Sequence, residues 1–269
     1  MGKIIGVLSL KGGVGKTSTV LSLGSAIAET GRKVLLVDGN FSAPNLGVHL
    51  NLINPDVTIH HVLDGSSNAE DAVQSFGDFG FDLLPAAIFY RGNVNPLRLK
   101  DKLKSLKRNY DFVLLDSSPA LNDETLAVML ASDEIFVVTT PDYPTLSMTL
   151  KAVKDARSRG VKIDGLILNR VYKKPFELSI SEIEDTAEVP VLAVIPHDVN
   201  VVKSVSNFTP AFVQNPKSKG SEEYRKLAGV VVGQKYQPNL FGFRRFLKFK
   251  PTPNHQDVNR ELYYKRVFE

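Results

Sequence analysis

No cysteine occurs anywhere in the 269 residues. That absence removes disulfides, thiolate metal sites, iron–sulfur ligation and cysteine nucleophiles together. Long apolar runs are missing as well, since none approaches the ~18–20 residues needed to span a bilayer. The chain enters an apolar strand almost at its first residue, which leaves no room for a signal peptide. Gly2 invites N-myristoylation, but Gly6 stands where that signal wants Ser or Thr. A cytoplasmic protein is expected. The histidines His49, His60, His61, His197 and His255 lack metal-ligand spacing and read as surface or packing residues. Most of the chain also lacks a net charge. Gln234–Glu269 holds eight Lys/Arg against three Asp/Glu, leaving 25 basic and 26 acidic groups in the first 233 residues. The basic character belongs to the tail alone.

What is present is an ordinary globular composition, 43% apolar, without internal repeats or low-complexity tracts. Val/Ile/Leu runs at 4–8, 33–38, 81–85, 111–116, 134–139, 162–168 and 189–195 read as strands, mostly buried on both faces. Amphipathic stretches at 17–29, 97–108, 123–131, 145–159, 178–187 and 220–232 read as helices between them. The alternation predicts an α/β fold: a doubly wound, mostly parallel sheet flanked by helices, spanning 1–233, with 234–269 as a basic aromatic tail.

The run Lys11-Gly12-Gly13-Val14-Gly15-Lys16-Thr17 follows the first strand and opens a helix. Strand, glycine-rich turn and helix start make a phosphate cradle, with backbone N–H groups and the helix dipole facing an anion. Leu10 stands where the strict phosphate-loop pattern has Gly, while Gly15-Lys16-Thr17 is intact. Lys16 is suited to neutralise the β- and γ-phosphates, and the Thr17 hydroxyl to join the shell of a Mg²⁺ ion. The binding set is therefore Gly12, Gly13, Val14, Gly15, Lys16, Thr17 and Ser18. Two further strands each end in a carboxylate, Asp38 and Asp116. In open α/β sheets ligands bind at the carboxyl ends of strands, so both Asp residues are candidates for the Mg²⁺–phosphate region.

These segments resemble the deviant Walker A ATPases of the MinD/ParA family, on the MinD-like side. Lys11–Thr17 matches the family's loop, Asp38-Gly39-Asn40 with Pro44-Asn45-Leu46 its first switch, and Asp116-Ser117-Ser118-Pro119-Ala120 its second. The resemblance implies ATP and Mg²⁺ as cofactors and an ATP-dependent homodimer. It implies that Lys11 reaches across the dimer to the partner's nucleotide. Asn169 and Arg170, with Pro196 and Asp198, match the segments that contact the adenine base. The iron–sulfur relatives of the family are excluded by the missing cysteines. Bacterial tyrosine kinases share related loops and tyrosine-rich tails, but Lys11 and the lone Tyr263-Tyr264 pair argue against them.

One position departs from the family. Asn40 replaces the second switch I Asp, and an amide can neither take a proton nor bring negative charge. The catalytic set is therefore Lys11, Lys16, Asp38 and Asn40, with slow or partner-stimulated hydrolysis expected. A non-hydrolysing ATP-bound adaptor is the alternative. In the tail, Leu240–Lys250 alternates bulky apolar and basic residues. That pattern suits an amphipathic helix on an anionic membrane, placing the protein peripherally at the inner face of the cell membrane. ParA-like binding of DNA is the competing surface. A near-neutral ATPase domain with no reading module argues against it. The cargo and activator proteins have no signature in the sequence.

Overall fold

The computed structural model describes residues 2–234 and 254–269. Continuous apolar runs build its sheet. The strands are β1 (Lys3–Leu8), β2 (Val34–Gly39), β3 (Gln74–Phe76), β4 (Phe81–Leu84), β5 (Phe112–Ser117), β6 (Glu134–Thr139), β7 (Gly165–Val171) and β8 (Val191–Pro196). They lie in the order β3-β4-β2-β5-β1-β6-β7-β8. Every neighbouring pair is parallel except β3 with β4. Strands β2, β5 and β6 are buried at every position, as the central strands of a sheet covered on both faces must be.

The helices are α1 (Lys16–Ala28), α2 (Leu46–His49), α3 (Ile59–Asp64), α4 (Leu99–Lys102), α5 (Leu106–Asn109) and α6 (Asp123–Ala131). They continue as α7 (Tyr143–Ser158), α8 (Ile180–Ala187), α9 (Val199–Ser206), α10 (Ala211–Gln214), α11 (Lys219–Val231) and α12 (His255–Phe268). Alternate strand residues feed two separate cores. Leu35, Val113, Leu115 and Val137 pack with Ala127 and Val128 of α6 and Val153 of α7. Leu36, Leu114 and Phe136 pack on the other face with Leu23 of α1 and Leu227 of α11. The doubly wound sheet expected from the sequence is thus the architecture found.

The stretch 97–108 does not form one helix; it breaks into α4 and α5 around Leu103. Three core contacts, by Leu99, Leu103 and Leu106, hold this broken segment down. His60 behaves as a packing histidine: its Nε2 lies 3.1 Å from the Phe41 carbonyl, and Nδ1 accepts from Ala87 N at 3.1 Å.

Helix α12 belongs to the body of the domain. Asn259 donates to the Val191 carbonyl at 2.9 Å, and Arg260 to the Leu192 carbonyl at 2.9 Å. Both carbonyls lie on β8, the last strand of the sheet. Tyr263 is 2% exposed and donates to Glu134 at 2.5 Å, so the tyrosine pair does not form a free phosphorylatable tail. Leu240–Lys250, the proposed membrane segment, lies outside the described residues. Among the described residues, no helix is long and apolar enough to cross a membrane.

Candidate functional site

Parallel pairing sets the site. Asp38 is in register with Asp116 across β2 and β5, and Val7 of β1 with Asp116, so three carboxyl ends emerge together. Gly39 permits the close approach: a Cβ there would meet the Asp116 carbonyl at 2.9 Å. The phosphate loop then turns into α1 through Gly15, whose φ of 92° suits glycine. A side chain at Gly15 would also collide with the Asn169 amide, at 2.2 Å.

Asp116 is the hub. Its carboxylate is fully buried and accepts from Lys16 Nζ at 2.5 Å and from Thr17 Oγ1 at 2.7 Å. Lys16 is itself only 8% exposed. The three residues expected to serve phosphate and metal are therefore already in mutual contact. A hydroxyl and a carboxylate are the hard oxygen donors that Mg²⁺ prefers, with substrate phosphates completing its shell. Among the described residues, no group of three or more His, Asp or Glu is placed to hold a metal ion.

Above this hub opens a cleft of ≈ 410 Å³, lined by the whole run 11–18 together with Asn40, Asn45, His49 and Arg170. That size falls in the range of about 300–1,000 Å³ usual for ligand pockets. A smaller pocket of ≈ 30 Å³ shares Ser18 and holds Asn169, Pro196 and Asp198. The residues expected at the base thus divide between two adjoining pockets, with Arg170 on the larger. At room for about two waters, the smaller one is too narrow for an adenine as it stands. Part of the reason is local bonding. Asn169 Nδ2 donates to the Val14 carbonyl at 2.7 Å, tying β7 to the phosphate loop, and Asp198 caps α9 through Asn200 N at 2.9 Å.

Two of the expected site residues make contacts elsewhere. Asp38 does not line the cleft. Its buried carboxylate accepts from the backbone N–H groups of Asn40, Asn45 and Leu46 at 3.1, 2.9 and 3.0 Å, clamping the turn that starts α2. Lys11 does not project free toward a partner. Its Nζ donates to Thr145 Oγ1 at 2.7 Å and pairs with Asp142 at 3.3 Å, both at the start of α7. Asn40 does line the cleft, though its amide donates to the Ala43 carbonyl.

Burial and the neighbouring Asp116 push the Asp38 carboxyl up to about 7, against the opposing pull of its three N–H donors. A raised acid binds its proton more tightly folded than unfolded, so stability declines as pH climbs from 3.8 through about 7. In the nucleotide-free protein, Asp38→Asn should flatten that decline. Urea midpoints compared at about pH 5 and about pH 8 check it, and equal pH slopes in both proteins would refute it.

Asn45, read as part of the first switch, lines the cleft, whereas sequence reasoning missed His49 on its wall, Asp142 and Thr145 at Lys11, and Glu124. Glu124 accepts from Ser42 N at 2.9 Å, joining the loop after Asn40 to the first turn of α6. None of these sits in a motif; they are brought in by the end of α2, the start of α7 and the first turn of α6.

Residues 2–163 match the family model of an AAA domain. The chain is similar to an uncharacterized ATP-binding protein of Methanocaldococcus jannaschii, 31% identical over 88% of this chain and 90% of that one. Among solved structures it resembles the cell division ATPase MinD of Pyrococcus furiosus, at 37% identity and a TM-score of 0.80, covering 85% of this chain and 97% of the other. It also resembles the septum site-determining protein MinD of Pyrococcus horikoshii OT3, complexed with Mg-ADP, at 35% identity and a TM-score of 0.80. That match covers 86% of this chain and 96% of the other.

Proposed function

The chain belongs to the MinD/ParA family of ATPases, and from that premise we propose that it is a Mg-ATP-dependent dimerising switch of cell division or partition. One observation carries the reading: Lys16 and Thr17 stand assembled on the buried Asp116 beneath a cleft of nucleotide size. In that cleft the N–H groups of 12–17 cradle the phosphates, and Lys16 exchanges Asp116 for phosphate oxygens. Thr17 and Asp116 would hold a Mg²⁺ ion, which would supply charge neutralisation for the phosphates.

Lys11 is the moving part. Released from Asp142 and Thr145, it reaches the nucleotide of a second copy and makes closure of the dimer depend on ATP. Hydrolysis is slow because Asn40 brings no carboxylate. The working surface is an anionic membrane contacted through 240–250, with ParA-like DNA binding as the competing outcome.

Sedimentation velocity with and without MgATP, alongside an assay for released ADP, tests the reading. Dimers formed with MgATP and lost in Lys11→Ala support it; a chain that stays monomeric with saturating MgATP sinks it. A second reading, an ATP-locked adaptor, is favoured by the lack of any carboxylate among the described residues lining the cleft. Asn40→Asp separates the two. A slow ATPase gains turnover, by about 10-fold or more if the carboxylate handles a proton, whereas no ADP from either protein supports the adaptor.

A further inference from the structure

The switch I side of the cleft poses a chemical problem that the phosphate loop does not solve. Hydrolysis needs a group that orients the attacking water and takes its proton. Lys11, Lys16 and Arg170 are cations and accept nothing, and Asn40 is an amide. Asp38 is not among the residues lining the cleft, and its carboxylate is engaged by three backbone N–H groups. Among the described residues lining the cleft, His49 alone can accept a proton near neutral pH.

His49 is also free to do so. Neither ring nitrogen has a hydrogen-bond partner among the described residues, although the ring is partly buried against the cleft wall. Burial pulls its pKa below the usual 6.5; Lys16 pulls the same way and Asp116 opposes. The charged groups around the cleft are Lys11 and Lys16 of the phosphate loop, Asp116 at the end of β5 and Arg170 at the end of β7. The residues that α9 adds to the cleft carry no charge. A neutral imidazole with free nitrogens, facing a phosphate site, is therefore the resting state at neutral pH.

We propose that His49 is the proton acceptor for the water that attacks ATP in this protein, taking the place of the carboxylate that Asn40 lacks. The proposal rests on the ATPase reading above. In the step, the water oxygen bonds to the γ-phosphorus as the bond to the β,γ-bridging oxygen breaks. The departing electron pair stays on ADP, and the water proton passes to a ring nitrogen of His49. ADP, inorganic phosphate and an imidazolium result, and the imidazolium returns its proton to solvent. Asp38 becomes a positioning residue: its carboxylate grips Asn45 N and Leu46 N, fixing the first turn of α2, whose last residue is His49.

The test uses the full chain and His49→Gln, which keeps a polar side chain of similar reach but cannot take the proton. Equilibrium MgATP binding and ADP release are followed from about pH 5 to about pH 9. In the unsubstituted protein, turnover falls on the acid side as His49 protonates. In His49→Gln, turnover drops about 10²-fold or more, MgATP affinity is retained and the acid limb disappears. Adding Asn40→Asp to that variant restores turnover, with an acid limb moved down to the carboxylate range. Equal turnover and pH profile in the two proteins overturn the proposal. So does loss of MgATP affinity in step with turnover, which marks a structural role. A protein that binds MgATP but releases no ADP also overturns it, while leaving nucleotide binding intact. One that fails to bind MgATP at all removes the ATPase reading itself.

Discussion

Lys16→Met loses MgATP binding and, independently, about 3–5 kcal/mol of stability, the usual cost of stripping one partner from a buried ion pair. The geometry explains why both follow from one side chain. Asp116 has no exposure to water, and Lys16 is its ion-pair partner at 2.5 Å. Without the ammonium, Asp116 keeps the Thr17 hydroxyl but is left as a buried carboxylate without its cation. The second site separates the two effects. Lys16→Met combined with Asp116→Asn removes the stranded charge, so most of the stability returns while MgATP binding stays lost. Urea denaturation without nucleotide, paired with titration calorimetry, reads both quantities. A single variant as stable as the unsubstituted protein would show that this pair is not structurally coupled.

The same local logic explains how much was legible beforehand. Lys16, Thr17, Asp38 and Asp116 were readable because each sits at a strand end or in a motif, where chain position dictates spatial position. The sheet was readable because its central strands are continuous apolar runs. What lay hidden depends on how distant segments meet. Thr145 and Asp142 hold Lys11 across 134 and 131 residues of sequence. His49 lines the cleft at the end of a turn that Asp38 holds through Asn45 N and Leu46 N. The elements missed outright, α2, α3, β3, α9 and α10, run from 3 to 8 residues, too short for periodicity to speak. Asp38 shows the limit most clearly. Its place was foreseen, but what its carboxylate faces is fixed by three backbone amides that no pattern announces.

Arg260→Ala should destabilise the domain by about 3–5 kcal/mol, although the residue lies in the stretch 234–269 that reads as a basic aromatic tail. A helix over 258–268 that packs onto the domain is one reading of the tail, but helix periodicity assigns its charged residues to water. The structure inverts that assignment. Arg260 is fully buried, and its guanidinium donates to the Leu192 carbonyl at 2.9 Å, Glu223 at 3.2 Å and Asp257 at 2.5 Å. Truncation strands the Asp257 carboxylate and an edge-strand carbonyl together, while Glu223 keeps Lys226 at 2.6 Å. Arg260→Lys should recover only part of the loss, because an ammonium cannot present the planar fork that meets three partners at once. Thermal melts give the ranking directly: unsubstituted highest, Lys intermediate, Ala lowest. A melting temperature unchanged in Arg260→Ala would show that α12 is dispensable. The ranking also decides how membrane attachment must be tested. Cutting the chain ahead of α12 removes a structural helix along with 240–250, so a truncated protein that fails to pellet with liposomes reports unfolding as readily as lost affinity. Phe243→Ser with Phe246→Ser, made in the full chain, leaves Arg260 in place and isolates the surface contact.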